Sequence, residues 1–228
     1  MPRYRIMFAK AGISRYISHL DLTRVFERAA RRAEMPMAYS QGFNPHPKIS
    51  FAVPLALGVI GEKEFVDMEL TVELPPEHIA EQLNKNLPMG IKVVEVRQVG
   101  EKEKPLMARV KQASYRMECP LAEEIDTPGV ERVVDEILGQ RALKVERKVK
   151  GKLKTADIRP GIINLKGYVQ KGEIVIETEL ATGSGGNVRP EELLKELKKA
   201  GLPIEYALCR IYRTGLHGSS GDAREELW

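Results

Sequence analysis

The chain has little of what metal and redox centres are built from: four histidines and two cysteines among 228 residues. Cys119 and Cys209 are far apart, and neither Cys-x-x-Cys nor His-x-x-x-His spacing occurs, so no metal and no cofactor is expected. His19 and His46, even with Asp21 as an oxygen ligand, lack that support. Both cysteines are expected to be reduced core residues of a cytoplasmic protein. No run of roughly 18 consecutive apolar residues exists to span a bilayer, and the N-terminus MPRYRIMFAKAG has no signal-peptide pattern. Glycines at 183, 185 and 186 are followed by no Lys-Ser or Lys-Thr, which excludes a Walker A phosphate loop.

What is present is unevenly placed. The 36 basic and 32 acidic side chains nearly cancel, a balance too mild to define a nucleic-acid binder. Between Met1 and Pro54, however, nine basic residues face only Asp21, Glu27 and Glu34, leaving +6 there and a slightly acidic remainder.

Hydrophobic periodicity read against turn residues gives strands at Tyr4–Lys10, Lys48–Val53, Glu64–Val72 and Ile91–Val99, with helices at Asp21–Ala33 and Pro76–Asn86. That order is βαββαβ, the ferredoxin-like pattern. After the charged stretch Gly100–Gln112, much the same order returns. Strands fall at Tyr115–Pro120, Leu143–Val149, Ile162–Val169, Glu173–Leu180 and Tyr206–Tyr212, and helices at Pro128–Leu138 and Pro190–Ala200, with one strand extra. The expected class is α+β, two tandem ferredoxin-like units with antiparallel sheets. The first would take residues 1–100 and the second 114–216, with a linker at 101–113 and a disordered polar tail at 217–228.

Chemistry concentrates between residues 14 and 51. Ser18-His19-Leu20-Asp21 has capping-box spacing, which places His19 at the first helical position, where the positive helix end favours a neutral imidazole. Leu22, Val25, Phe26, Ala29 and Ala33 form the stripe to be buried. Arg24, Arg28, Arg31 and Arg32 fall along one opposite ridge, whose planar guanidinium forks suit phosphate, and Arg15 adds a donor ahead of the cap. A solvated helix face partly neutralised by Glu27 and Glu34 is the bland alternative. The loop that follows, Tyr39, Ser40, Gln41, Gly42, Phe43, Asn44, Pro45, His46, Pro47, Lys48, is stiffened by its prolines. Within it Asn44 can read an amide or base edge, Phe43 can stack or plug the core, His46 can exchange protons, and Lys48 can pair with phosphate.

Two features of the second half also suit anions. Gly183–Gly186 leads into a helix N-terminus, and Lys144–Lys154 is strongly basic. A mobile connection and a solvated hairpin are their plain readings. His78 is expected on a surface helix, and His217 has no assigned role.

The motifs YISHLDL at 16–22, RAARRA at 28–33, YSQGFNPHPKISF at 39–51, PLALG at 54–58 and EFVDMEL at 64–70 resemble the radical-SAM-linked protein family, DUF2344. In that family the domain stands alone or is attached to the C-terminus of radical SAM proteins, so the resemblance implies a radical SAM protein as partner. This chain lacks the Cys-x-x-x-Cys-x-x-Cys cluster motif and is not expected to be that enzyme. The expected function is an accessory RNA-binding or substrate-presenting protein acting in tRNA or rRNA modification. The arginine ridge with Arg15 and Lys48 would hold phosphate, and Tyr39 to Asn44 would form the pocket. Two alternatives stand beside it: a metal-independent RNA-processing enzyme using His19 or His46, and a pure protein-interaction module.

Overall fold

Arginine and aromatic or aliphatic residues alternate in RYRIMF, and a strand sends such alternate side chains to opposite faces. A computed structural model places this strand, β1, at Arg3–Lys10; it describes every residue except Glu101, Lys150, Ser184, Gly185, Gly221, Asp222 and Glu226. The chain divides into two compact units, Met1–Val110 with Gly215–Trp228, and Lys111–Thr214.

In the first unit β1 is followed by α1 (His19–Arg32), β2 (Ile49–Phe51), β3 (Ile60–Glu69), α2 (Pro76–Asn86), β4 (Ile91–Val99) and a single turn, α3 (Leu106–Arg109). β4, β1 and β3 lie side by side, β2 pairs with β3, and every registered pairing is antiparallel. Tyr4, Ile6 and Phe8 of β1, Val66 and Met68 of β3 and Leu70 just beyond it pack against Leu22, Phe26, Ala29 and Ala30 of α1 and Ile79 and Leu83 of α2. Phe8, Phe26 and Phe51 meet edge to face at 4.9–5.9 Å, the arrangement ring quadrupoles favour.

The other sheet face is charged. Arg5 pairs with Asp67 across β1 and β3, Arg3 with Glu69, and Ser50 of β2 with Asp67. Arg5 is completely buried; its Nε and Nη2 donate to the two Asp67 oxygens at 2.9 and 3.1 Å, and its Nη1 donates to the Leu227 carbonyl. Arg109 reaches the same carbonyl at 3.3 Å, and Trp228 meets the edge of Phe65 at 5.3 Å while Arg97 stacks on its indole at 4.2 Å. Residues 217–228 are therefore no loose tail where described: a strand, β10 (Arg210–Ser220), runs through His217 and pairs with β11 (Ala223–Glu225), and Leu227 is buried. Gly221, Asp222 and Glu226, also part of the expected tail, lie outside the described residues, as does Glu101 of the expected linker. The rest of that linker carries α3, and Leu106 is buried.

The second unit holds β5 (Gln112–Pro120), α4 (Thr127–Gly139), β6 (Lys144–Val149), β7 (Lys152–Asp157), β8 (Ile162–Gln170), β9 (Glu173–Ala181), α5 (Pro190–Lys199) and residues 210–214 of β10. Its strands run β10-β5-β9-β8, and β6 with β7 forms a separate two-stranded ribbon between α4 and β8. The single extra strand expected from sequence is thus one arm of a hairpin, whose second arm KLKTAD has too few buried residues to show an apolar period. The cysteines also depart from the expected reduced state. Cys119 and Cys209 form a disulfide, with Cα atoms 4.3 Å apart. Neighbouring strands β5 and β10 bring them together across 90 residues, a juxtaposition that spacing along the chain does not disclose. The architecture is α+β with mostly antiparallel strand pairing, and no helix among the described residues is long and apolar enough to cross a membrane.

Burying Arg5 without a counter-charge would be costly, so removing one partner should hurt more than removing both. Arg5→Met is expected to lower unfolding stability by about 3 kcal/mol or more, read as a fall in the urea midpoint. The double variant Arg5→Met with Asp67→Leu should recover part of that loss; a double variant no more stable than Arg5→Met would contradict the ion-pair account.

Candidate functional site

α1 begins where the Ser18 hydroxyl accepts from the Asp21 backbone N–H at 3.1 Å. The same hydroxyl donates to an Asp21 carboxylate oxygen at 2.7 Å, and Arg24 reaches the other oxygen at 3.2 Å. The Ser18 hydrogen bond, aided by the Arg24 and Arg28 charges, holds the exposed Asp21 carboxyl below the usual range. Arg24, Arg28, Arg31 and Arg32 are all exposed, while Leu22, Phe26, Ala29 and Ala30 are buried beneath them. Arg32 donates to the Asn86 carbonyl, and Arg24 belongs to a solvent-exposed pair that contributes little to stability and opens cheaply. Arg15 lies along Tyr16, its guanidinium 4.8 Å from the ring centroid and its Nη2 2.7 Å from the hydroxyl.

Beyond α1 the chain closes a loop on itself. Met37 and Ala38 run beside the end of β3; Lys48 N–H donates to the Ala38 carbonyl at 2.8 Å, and Ser40 N–H to the His46 carbonyl at 2.9 Å. The Ser40 hydroxyl in turn accepts from His46 N–H at 3.0 Å, and Tyr39 bridges Pro47. The arms being fixed, the tip is pushed out. Gln41, Gly42, Phe43, Asn44 and Pro45 are exposed, and Gly42 holds φ at +124°, a conformation that side chains resist. Phe43 is wholly exposed, forgoing burial worth about 2 kcal/mol. It does not plug the core.

Beside the arms lies a cavity of about 360 Å³, bounded by Arg3, Ser40, His46, Lys48, Asp67 and Glu69. Lys48 Nζ meets Glu69 at 2.7 Å, and Arg3 Nη2 donates to the Gly100 and Glu103 carbonyls at 3.2 and 2.7 Å. The structure thus divides the residues singled out in sequence. Ser40, His46 and Lys48 line the cavity; Gln41, Gly42, Phe43 and Asn44 form the tip; Tyr39 is exposed on the arm between them. His19 is the first residue of α1, its ring edge-to-face with Phe51 at 5.4 Å, and it is not among the residues lining the cavity.

Arg3, Ser50, Asp67 and Glu69 were not singled out. Their signal was the complementary alternation of R-Y-R in β1 and D-M-E in β3, which opposes basic to acidic residues once the strands pair antiparallel. His78 is exposed on α2, and His217 is buried in β10. Within Gly183–Gly186, Ser184 and Gly185 lie outside the described residues. Among the described residues no cluster of three or more His, Cys, Asp or Glu could hold a metal ion.

In this α+β protein a capped helix exposing four arginines is thus followed by a self-closed loop that projects an aromatic ring beside a charged cavity on the N-terminal unit. The chain belongs to DUF2344, a family described as an uncharacterized protein conserved in bacteria, whose pattern matches residues 3–190. No curated protein matches it. Among solved structures it is similar to a chain in the crystal structure of a Cbf5-Nop10-Gar1 complex, with a TM-score of 0.53 and 11% identity over 94% of this chain. That likeness concerns fold alone, and this chain spans about half, 49%, of that one. A likeness to an unknown protein from Galdieria sulphuraria, with 12% identity over 96% of this chain and 99% of that chain, has a TM-score of 0.28 and carries no argument.

Because the Ser18 hydrogen bond is the largest single influence on Asp21, Ser18→Ala should move the Asp21 titration upward, and Arg24→Ala, which removes a nearby positive charge and a hydrogen bond, should move it the same way. With its folded value depressed, Asp21 supports the helix start at neutral pH, and that support fades as pH falls through the depressed value. NMR titration of the Asp21 side chain checks both shifts; no shift in Ser18→Ala would contradict the cap.

Proposed function

We propose that the chain binds single-stranded RNA through its N-terminal unit and presents it to a radical SAM enzyme, the partner class implied by the resemblance of its motifs. The observation that carries this reading is Phe43, held wholly exposed at the tip of a hydrogen-bonded loop that follows the exposed arginines of α1. An exposed ring on a fixed arm offers a base a stacking surface at little entropic cost. Arginine forks supply the phosphate contacts that give affinity without sequence preference. Duplex RNA offers no unstacked base to such a ring, which favours single strands.

The fold is read in the same proposal as two ferredoxin-like units. Supporting it are the strand neighbours: β4-β1-β3 with β2 on β3 in the first unit, and β10-β5-β9-β8 in the second, which repeat one order once the β6–β7 ribbon is set aside.

Fluorescence anisotropy with a short unstructured RNA tests the binding. Arg28→Ala with Arg31→Ala should weaken it and flatten its salt dependence, since each lost phosphate contact releases fewer counterions. Phe43→Ala should weaken single strands by about fivefold or more, the range of one base–aromatic stack, while leaving any residual duplex binding unchanged. Equal affinity of wild type and both variants would overturn the reading. Co-purification of a radical SAM protein that is abolished by nuclease would place RNA between the two; its persistence would mean direct docking instead.

A further inference from the structure

The cavity beside the loop has a mixed lining that narrows what it can hold. Asp67 and Glu69 disfavour an anion, and Arg3 and Lys48 disfavour a cation, so a neutral molecule with both donors and acceptors suits it best. Pro47, Pro105 and Leu106 supply apolar wall suited to a flat ring. A volume of about 360 Å³ is enough for one nucleobase with its sugar and too small for a stacked strand.

Within it, Lys48 and Glu69 set an ammonium donor 2.7 Å from a carboxylate acceptor, with side chains 38% and 30% exposed, so both remain open to a ligand. Of the four RNA bases only guanine carries, on its Watson–Crick edge, an acceptor (O6) next to two adjacent donors (N1–H and N2–H). The Glu69 carboxylate can accept both donors while Lys48 donates to O6, and the Lys48–Glu69 contact itself can persist. Adenine would turn its N1 lone pair toward the carboxylate, and uracil offers a single N–H between two carbonyls.

We infer that this cavity is a guanine pocket, which takes one splayed guanine of the bound RNA through Lys48 and Glu69. The inference rests on the RNA reading for its biological ligand, but the pocket chemistry can be tested without RNA. The location is coherent with it. Ser40 and His46, which close the loop, line the same cavity, so the arms that hold Phe43 outward also form the pocket wall. A base stacked on Phe43 and a neighbouring base in the cavity would be contacted by one rigid segment.

Titration calorimetry with GMP, IMP and AMP, which share one ribose phosphate, tests the assignment on the unaltered protein. GMP should bind about tenfold or more tightly than AMP, the discrimination typical of a bidentate base contact, and IMP, which lacks the N2 amino group, should fall between them. Glu69→Gln should erase the difference between GMP and IMP, and Lys48→Met should weaken GMP and IMP alike. Equal binding of the three nucleotides, or none, overturns the guanine pocket. If an unstructured RNA still binds in that case, the RNA reading survives alone. GMP preference without RNA binding would leave the pocket standing and remove the RNA reading.

Discussion

A guanidinium with no access to water lies at the centre of the N-terminal unit, and much of its second sheet face follows from that fact. Arg5 can be buried only because Asp67 accepts two of its hydrogen bonds and the Leu227 carbonyl a third. The carbonyl is delivered by the last residues of the chain, which Trp228 anchors between Phe65 and Arg97. A face that would otherwise be a solvated strip of charge thereby becomes a lined surface under a cover. The cover stops short of the loop arms, and the cavity lies among Arg3, Lys48, Asp67 and Glu69.

The two faces of the sheet thus divide the work. Toward α1 and α2 the sheet is apolar, and the interlocked rings of Phe8, Phe26 and Phe51 fix the helix that displays the arginines. Toward the cavity it is ionic, and paired charges set the pattern of donors and acceptors. The segment from Ala33 to Lys48 joins both, since it leaves α1 at one end and pairs beside β3 at the other.

What the sequence disclosed was local. The cap at Ser18 and the stripe Leu22, Phe26, Ala29 are signals spaced within a turn or two, and α1 formed where they indicate; α2 and β4 run over the expected residues. The hairpin of β8 and β9 was legible for the same reason. The Arg5 contact to Leu227 spans 222 positions and the Cys119–Cys209 bond 90, and nothing nearby in the chain announces either. Polar residues at the end looked like a tail because the surface that receives them is made by strands near the beginning. In the candidate site, the composition of the loop named Ser40, His46 and Lys48, but only the pairing of β1, β2 and β3 adds Arg3, Ser50, Asp67 and Glu69 to them.

If nucleic acid meets this protein at α1 and the loop, as proposed, ultraviolet crosslinking to a short unstructured RNA followed by peptide mass spectrometry will find it there. Nucleotide adducts are expected on the peptide that carries Phe43 and His46, and are expected to be lost in Phe43→Ala. Adducts confined to the basic ribbon of β6 and β7, with the loop peptide unmodified, would rule out the loop as the contact surface.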